Sequence, residues 1–460
     1  MSKTNNLGTD PIGRLVLRLA IPSMLAQFVN VLYGIVDRMY IGNIPEIGDL
    51  ALAGVGVCGP IVTLVSSFSF LIGIGGAPLI AMRLGEGNKK NAEEILANCF
   101  LLLTVMAVTL SVIFLSLKQP ILMTFGASGD SFPYADEYIT VYLIGAIFAI
   151  LSVGLNQFIT CQGFSTVAMF SVLIGAVLNI VLDPVFIFLF GMGVRGAALA
   201  TLLSQMVSFL FVFAFLRGKR THIRITFQGY SWKIMRRVLL FGFSPFIINA
   251  SDSVIIIVLN TVLQRYGGPQ MGDHYITCAT IVLSCFQLIT MPLAGITGGT
   301  QPILSFNYGA KNTARIREAF KKILMLCVAF VTVMLLISQL VPQLFVGIFS
   351  QDPDVMELSV WGIRVFTLAV IPMAFQYELV DGLTALGIAK VAITLSLNRK
   401  IMFMLFTVVL PIFLGATGAF YAEPLADAIC GVVTTVVFLL LIGRLLRARD
   451  AMPDGQALYS

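Results

Sequence analysis

Asp37, Asn179, Asp183 and Thr201 are the residues of this chain best placed to do chemistry. Each lies in a long apolar run, where a polar group is costly and usually faces a cavity or a partner. Asn179 and Asp183 stand four residues apart, so they share one helix face. Pro184 follows at once. It has no N–H to donate and its ring crowds the carbonyl four residues back, which loosens the helix and frees a carbonyl oxygen beside the carboxylate. Two carboxylates, an amide, a hydroxyl and free carbonyls make an all-oxygen site for a proton or Na⁺. The four residues are therefore the expected cation-coupling set. No resident metal is expected, only transient Na⁺ at Asp37 and Asp183. The bland alternative for Asp37 is an interfacial residue paired with Arg38.

Other polar residues gather in the first half: Gln27, Asn30, Tyr33, Asn156, Gln157 and Thr160. Asn and Gln in membrane helices often serve as interhelical glue, which is the plain reading of each. Tyr33 lies one turn before Asp37, so ring and carboxylate share a face on which a lipophilic cation can stack. The second half does not repeat the acidic set. Position 37 falls near Asn260, position 183 near Leu405 and position 201 near Glu423. Its own charges within apolar runs are Asp252, Glu378, Asp381, Arg399, Lys400, Glu423 and Asp427. Asp252, Glu378, Asp381 and Arg399 form a possible second site. Arg399 and Lys400 lie too deep to reach water easily, so at least one should pair with a carboxylate of the same half.

These residues need spans to hold them. The chain of 460 residues is 58% hydrophobic and 11% charged, against roughly 25% charged in soluble domains. Lipid must be its solvent. Twelve runs reach the roughly 20 residues a span needs: near 14–42, 52–82, 94–117, 136–160, 165–190, 194–217, 237–265, 276–306, 319–348, 357–386, 391–414 and 417–446. The first run is too long for a signal peptide. Seven cysteines are scattered without a CxxC pair and read as free core residues. With twelve spans and an inside N-terminus, 22 Lys and Arg fall inside and only Lys118, Arg195 and Arg265 outside. That asymmetry places both termini in the cytoplasm of a multi-pass cell-membrane protein.

Two weak repeats divide the chain. GGAPLIAMRLGEGN at 75–88 matches GTQPILSFNYGAKN at 299–312 through Pro78 and Pro302, Gly85 and Gly309, Asn88 and Asn312. GVRGA at 193–197 matches GATGA at 415–419. The expected fold is an all-α integral membrane protein of twelve transmembrane helices in two pseudo-symmetric six-helix lobes, 1–222 and 223–460. Paired halves with polar residues between them are the usual plan of a secondary transporter.

On these residues the chain resembles the MATE (multidrug and toxic compound extrusion) transporters over essentially its whole length. The resemblance rests on the twelve spans, on LYGIVDRMYIG at 32–42, on APLIAMRLGEGN at 77–88 and on NIVLDPVFI at 179–187. The basic pair at 399–400 is similar to the MepA-like/DinF-like branch. The resemblance implies cation-coupled efflux of lipophilic cations by two rocking lobes, with H⁺ or Na⁺ as the coupling ion. It implies a cation site at Asp37, Asn179, Asp183 and Thr201 and a drug cavity that includes Tyr33 and Asn156; with Gln27, Asn30 and Gln157 from the polar set, these are the expected substrate-binding residues. One departure is Thr384-Ala385, where the family often has Arg-Gly.

The rival within the same superfamily is a lipid-linked oligosaccharide flippase, whose cavity should carry several Arg or Lys for a pyrophosphate. Only Arg399 and Lys400 qualify here. A channel fits the paired halves less well. An enzyme is not expected: His222 and His274 both read as loop residues, and no HExxH, GxSxG or P-loop pattern occurs. The expected partners are small lipophilic cations, H⁺ or Na⁺ and the lipid bilayer. No nucleic acid, no cofactor and a monomeric state complete the reading.

Overall fold

The computed structural model describes residues 6–45, 47–125, 132–349 and 353–451, apart from the side chains of 48–50, 52–53, 244, 248–250, 252–253, 257, 269–270, 272–273 and 348–349. The protein is all-α, with no strand among the described residues. In chain order the helices are α1 (Ile12–Gly42), α2 (Gly48–Gly85), α3 (Lys89–Thr124), α4 (Phe132–Thr160), α5 (Ser165–Pro184), α6 (Gly193–Arg217), α7 (Trp232–Gly309), α8 (Thr313–Leu340), α9 (Pro342–Phe349), α10 (Pro353–Phe366), α11 (Val370–Ala385), α12 (Ala389–Leu414) and α13 (Ala422–Asp450).

Ten helices are long and apolar enough to cross a membrane among the described residues, or eleven if α10 and α11 form one span bent by 50°. The bend has a local cause. Pro372 offers no N–H and its ring opposes the carbonyl of Leu368, so the helix breaks at 367–369. The expected seventh and eighth spans fall on two helical limbs within α7, which meet at a kink at Gly268 with φ 69° and ψ −175°. Within the first limb the described residues include an apolar stretch at Val254–Gly268. The count of twelve is thus approximate. His274 lies inside α7 and not in a loop, because one glycine absorbs the whole turn.

The repeats have clear physical content. Asn88 and Asn312 both cap a helix: each side chain accepts from the backbone N–H three residues on, Asn91 at 3.1 Å and Arg315 at 3.3 Å. Gly193 and Gly415 both have positive φ, 54° and 67°. Gly196 and Gly418 both lie against backbone, where a Cβ would come within 2.8 Å of the Phe186 or the Leu410 carbonyl carbon.

The chain forms two compact units. One holds Leu25–Asn249. The other holds Leu7–Met24 with Ala250–Ser460. Each unit therefore takes in the opening stretch of a helix from the opposite half of the sequence. Small residues allow the close approach this needs. In the first unit a Cβ on Gly75 would come 2.4 Å from the Val238 carbonyl oxygen and 2.7 Å from the Gly242 nitrogen. In the second, a Cβ on Gly295 would come 2.7 Å from the Ser23 carbonyl oxygen, and one on Gly299 would meet the Ser23 side chain. The residues before α1 are fastened there too. Asn307 Nδ2 donates to the Leu7 carbonyl at 3.0 Å. The Arg315 guanidinium donates to the Leu7 and Asp10 carbonyls at 3.1 and 2.8 Å.

The polar stretch between α6 and α7 is docked on the first unit. Ile223 is fully buried, and its N–H donates to Gln162 Oε1 at 3.0 Å. Asn98 donates to the Gly229 carbonyl at 2.9 Å and accepts from the Ser231 N–H at 2.8 Å.

Candidate functional site

The first unit brings Asp37, Asn179, Asp183 and Thr201 together. All four are buried, Asp183 completely. Asn179 Nδ2 donates to Asp183 Oδ1 and to Thr201 Oγ1, each at 3.3 Å. The Asp37 carboxylate lies close to Asp183, and the Tyr33 hydroxyl close to Thr201. Three oxygens in this cluster, Asp37 Oδ1, Asn179 Oδ1 and Asp183 Oδ2, have no hydrogen-bond partner in the protein. The cluster is thus rich in acceptors and poor in donors. Two carboxylates this close repel unless a proton or a cation shares the contact. Arg38, the nearest basic residue in sequence, is exposed.

Local structure explains how α5 presents the site. Pro184 ends the regular helix, and the next turn, Val185–Leu189, is a π-helix. Such wide turns leave carbonyls without their usual partner and often mark functional positions. Thr201 arrives from α6, which packs along α5 at Gly175, where a Cβ would meet Ser208 Oγ.

The other expected residues separate into two kinds. Tyr33 joins the acidic cluster. Asn30 Nδ2 donates to Gln27 Oε1 at 3.5 Å, and Asn30 is exposed. Asn156 is used as glue: its amide donates to the Ala168 carbonyl at 2.9 Å and to Ser171 Oγ. Gln157 lies where its Cγ would meet a Cβ on Gly73 at 2.9 Å. Two residues beyond the expected set lie near Tyr33. Tyr138 and Tyr142 are buried on α4 with rings stacked at 6.4 Å, and Tyr138 is within electrostatic range of Asp37 and Tyr33. Their i, i+4 spacing is the signal that could have found them.

The second unit arranges its charges differently. Arg399, buried on α12, donates through Nε to Asp427 Oδ1 at 2.6 Å and through its terminal nitrogen to Glu423 Oε1 at 2.5 Å. Its guanidinium also lies 5.5 Å from the Tyr377 ring centre. Asp381 accepts from Thr297 at 2.5 Å. Glu378 is buried, and its Oε1 has no partner. Among the described residues of the possible second site, Arg399 pairs with Glu423 and Asp427, while Asp381 accepts from Thr297 and lies within electrostatic range of Glu378. The side chain of Asp252 lies outside the described residues.

The MatE family model matches residues 22–185 and 246–410, well over half of the chain. The chain belongs to the MATE family. Members of this family are transporters, and the chain is not an enzyme. It is 24% identical over 445 residues to the multidrug export protein MepA of Staphylococcus saprophyticus subsp. saprophyticus, covering 96% of each chain. Its fold matches the outward-facing form of a multidrug resistance MATE family transporter of the MOP superfamily. That match has a TM-score of 0.90 and 23% identity, and it covers 97% of this chain and all of the other. A Pyrococcus furiosus MOP superfamily transporter, described as having a binding pocket of reversed polarity, matches at a TM-score of 0.89 and 24% identity, over 96% and 99% of the two chains.

Proposed function

We propose that this MATE protein is a cation-coupled multidrug efflux antiporter that exports lipophilic cations by alternating access between its two lobes. The observation that carries the reading is the cluster of three unpartnered oxygens on Asp37, Asn179 and Asp183. A buried carboxylate pair to which no basic side chain is bonded among the described residues suits a cation taken from solution, H⁺ or Na⁺, which must be released for the site to be used again. Asp37 lies on the same α1 face as Tyr33, so a lipophilic cation stacked on that ring competes with the coupling ion for the same carboxylate. Only a ligand with different affinity for two states shifts them, and this competition supplies the difference.

The export of drugs by its MepA relative supports the choice of cargo. The flippase alternative draws little support from the second unit, where Arg399 is already held by two carboxylates. The protein works as a monomer in the cell membrane with both termini in the cytoplasm.

Two experiments test this. Purified protein in proteoliposomes should pump a fluorescent cationic drug against a pH gradient or a Na⁺ gradient imposed separately. Transport under neither gradient sinks the coupling. For orientation, Gln228→Cys places an exposed thiol in the docked stretch between α6 and α7. An impermeant maleimide should label it only in inverted vesicles, and labelling of intact cells overturns the assignment.

A further inference from the structure

A cavity of about 450 Å³ opens between α9 and α10 of the second unit, lined by Gln343, Met356, Glu357, Val360, Trp361 and Arg364. Glu357, Val360, Trp361 and Arg364 fall at i, i+3, i+4 and i+7, with Met356 beside them, so one stripe of the helix faces it. Glu357 and Arg364 are both exposed at this cavity, and neither side chain has an ion-pair or hydrogen-bond partner among the described residues. Seven residues apart, their backbones lie about 10 Å apart along the axis, too far for the pairing common at i, i+4. Between them stands Trp361, held edge-on by Phe420 at 5.7 Å and Tyr421 at 5.8 Å. The cavity thus offers one negative group, one positive group and an aromatic face, with the two charges kept apart.

Its level in the membrane follows from α8. That helix has 28 residues and is about 42 Å long, enough to cross the roughly 30 Å hydrocarbon core. Its start carries Arg315, Arg317, Lys321 and Lys322, and its end leads into α9 at the opposite surface. Trp is favoured at that head-group level. Close to Gln343 in the chain, Leu340 and Leu344 are 71% and 74% exposed, which puts apolar surface on the segment that borders the cavity.

We propose that this cavity binds a phospholipid whose head group carries both a phosphate and a primary ammonium. The phosphate meets Arg364 and the ammonium meets Glu357 over the Trp361 ring. The acyl chains run along Leu340 and Leu344. A lipid with a phosphate but no ammonium leaves Glu357 uncompensated beside a second negative charge, so the site discriminates against it.

The chain has two tryptophans, and Trp232→Phe leaves Trp361 as the sole fluorophore. This variant is reconstituted in phosphatidylglycerol vesicles. A small fraction of the lipid is then replaced by acyl-brominated phosphatidylethanolamine or by acyl-brominated phosphatidylglycerol. Brominated phosphatidylethanolamine should reach half-maximal quenching at a mole fraction at least threefold lower. Glu357→Gln should erase the preference, and Arg364→Ala should weaken binding of phosphatidylethanolamine. Equal quenching by both lipids identifies ordinary boundary lipid and overturns the proposal. A preference that survives both substitutions also overturns it, because the selective site then lies elsewhere. Native mass spectrometry of the unaltered protein gives an independent reading: phosphatidylethanolamine should outlast phosphatidylglycerol on the wild type and not on Glu357→Gln.

Discussion

The two units solve the same physical problem in opposite ways. Each buries a pair of carboxylates in its interior: Asp37 with Asp183 in the first, Glu423 with Asp427 in the second. The second supplies its own cation, since Arg399 bonds to both acids and cannot leave. The first supplies none, and three of its oxygens lack partners. A buried charge is tolerable only when compensated, so the difference lies in where the compensation comes from. A tethered guanidinium makes a fixed joint. A borrowed proton or Na⁺ makes a site that is loaded and unloaded. Asp381 with Thr297 and the unpartnered Glu378 stand between these extremes.

The largest expected effect is at Asp183. Asp183→Asn should abolish gradient-driven efflux while the protein still folds and inserts. The comparison breaks if transport in proteoliposomes is unchanged. Next comes Arg399→Met, which strips one partner from a buried ion cluster and should cost about 3–5 kcal/mol of stability, read by thermal unfolding in detergent. Its dependence on pH or Na⁺ should stay as in the parent. A stable Arg399→Met protein that loses coupling would show that the second unit also exchanges its cation.

Asp37→Asn should have a smaller and more specific effect. In the parent, acidification or added Na⁺ neutralises Asp37 and weakens drug binding. The variant should bind a cationic drug about tenfold more weakly at high pH, roughly 1.4 kcal/mol, and its affinity should ignore pH and Na⁺. Isotherms at several pH values decide this, and a variant that keeps the parent's pH dependence places the competition elsewhere. The smallest effect sharpens the likeness of the halves. Gly87 and Lys311 occupy equivalent repeat positions with φ of 74° and 56°. A left-handed lysine costs about 1–2 kcal/mol, so Lys311→Gly should stabilise the protein by about 1 kcal/mol in the same unfolding assay.

Much of this was legible in the sequence because membrane insertion leaves strong marks. Apolar run length located most spans, and the i, i+4 spacing of Asn179 and Asp183 put both on one face of α5 without a structure. Pro184 announced a loosened helix, and a π turn follows it. Matching glycines and asparagines marked helix caps and tight packing in both repeats. What stayed hidden depends on contacts distant in sequence. Asn156 looks like a cavity residue until Ala168 and Ser171 are seen to use its amide. A carboxylate partner for Arg399 was expected, but choosing Glu423 and Asp427 required α12 and α13 to be packed together. The bend between α10 and α11 turns on Pro372, a single residue that average hydropathy does not register.

The fastening of residues 7–10 has a consequence for biosynthesis. Leu7 leaves the ribosome early, yet Asn307, the side chain that holds its carbonyl, lies 300 residues later. At about 5–20 residues per second, the start of the chain waits about 15–60 s for its partner. Ser23 waits nearly as long for Gly295 and Gly299. The opening stretch of the chain, residues 7–24, is thus among the first parts made and among the last to find its final neighbours, so a chain released before residue 295 leaves that stretch without the partners it packs against.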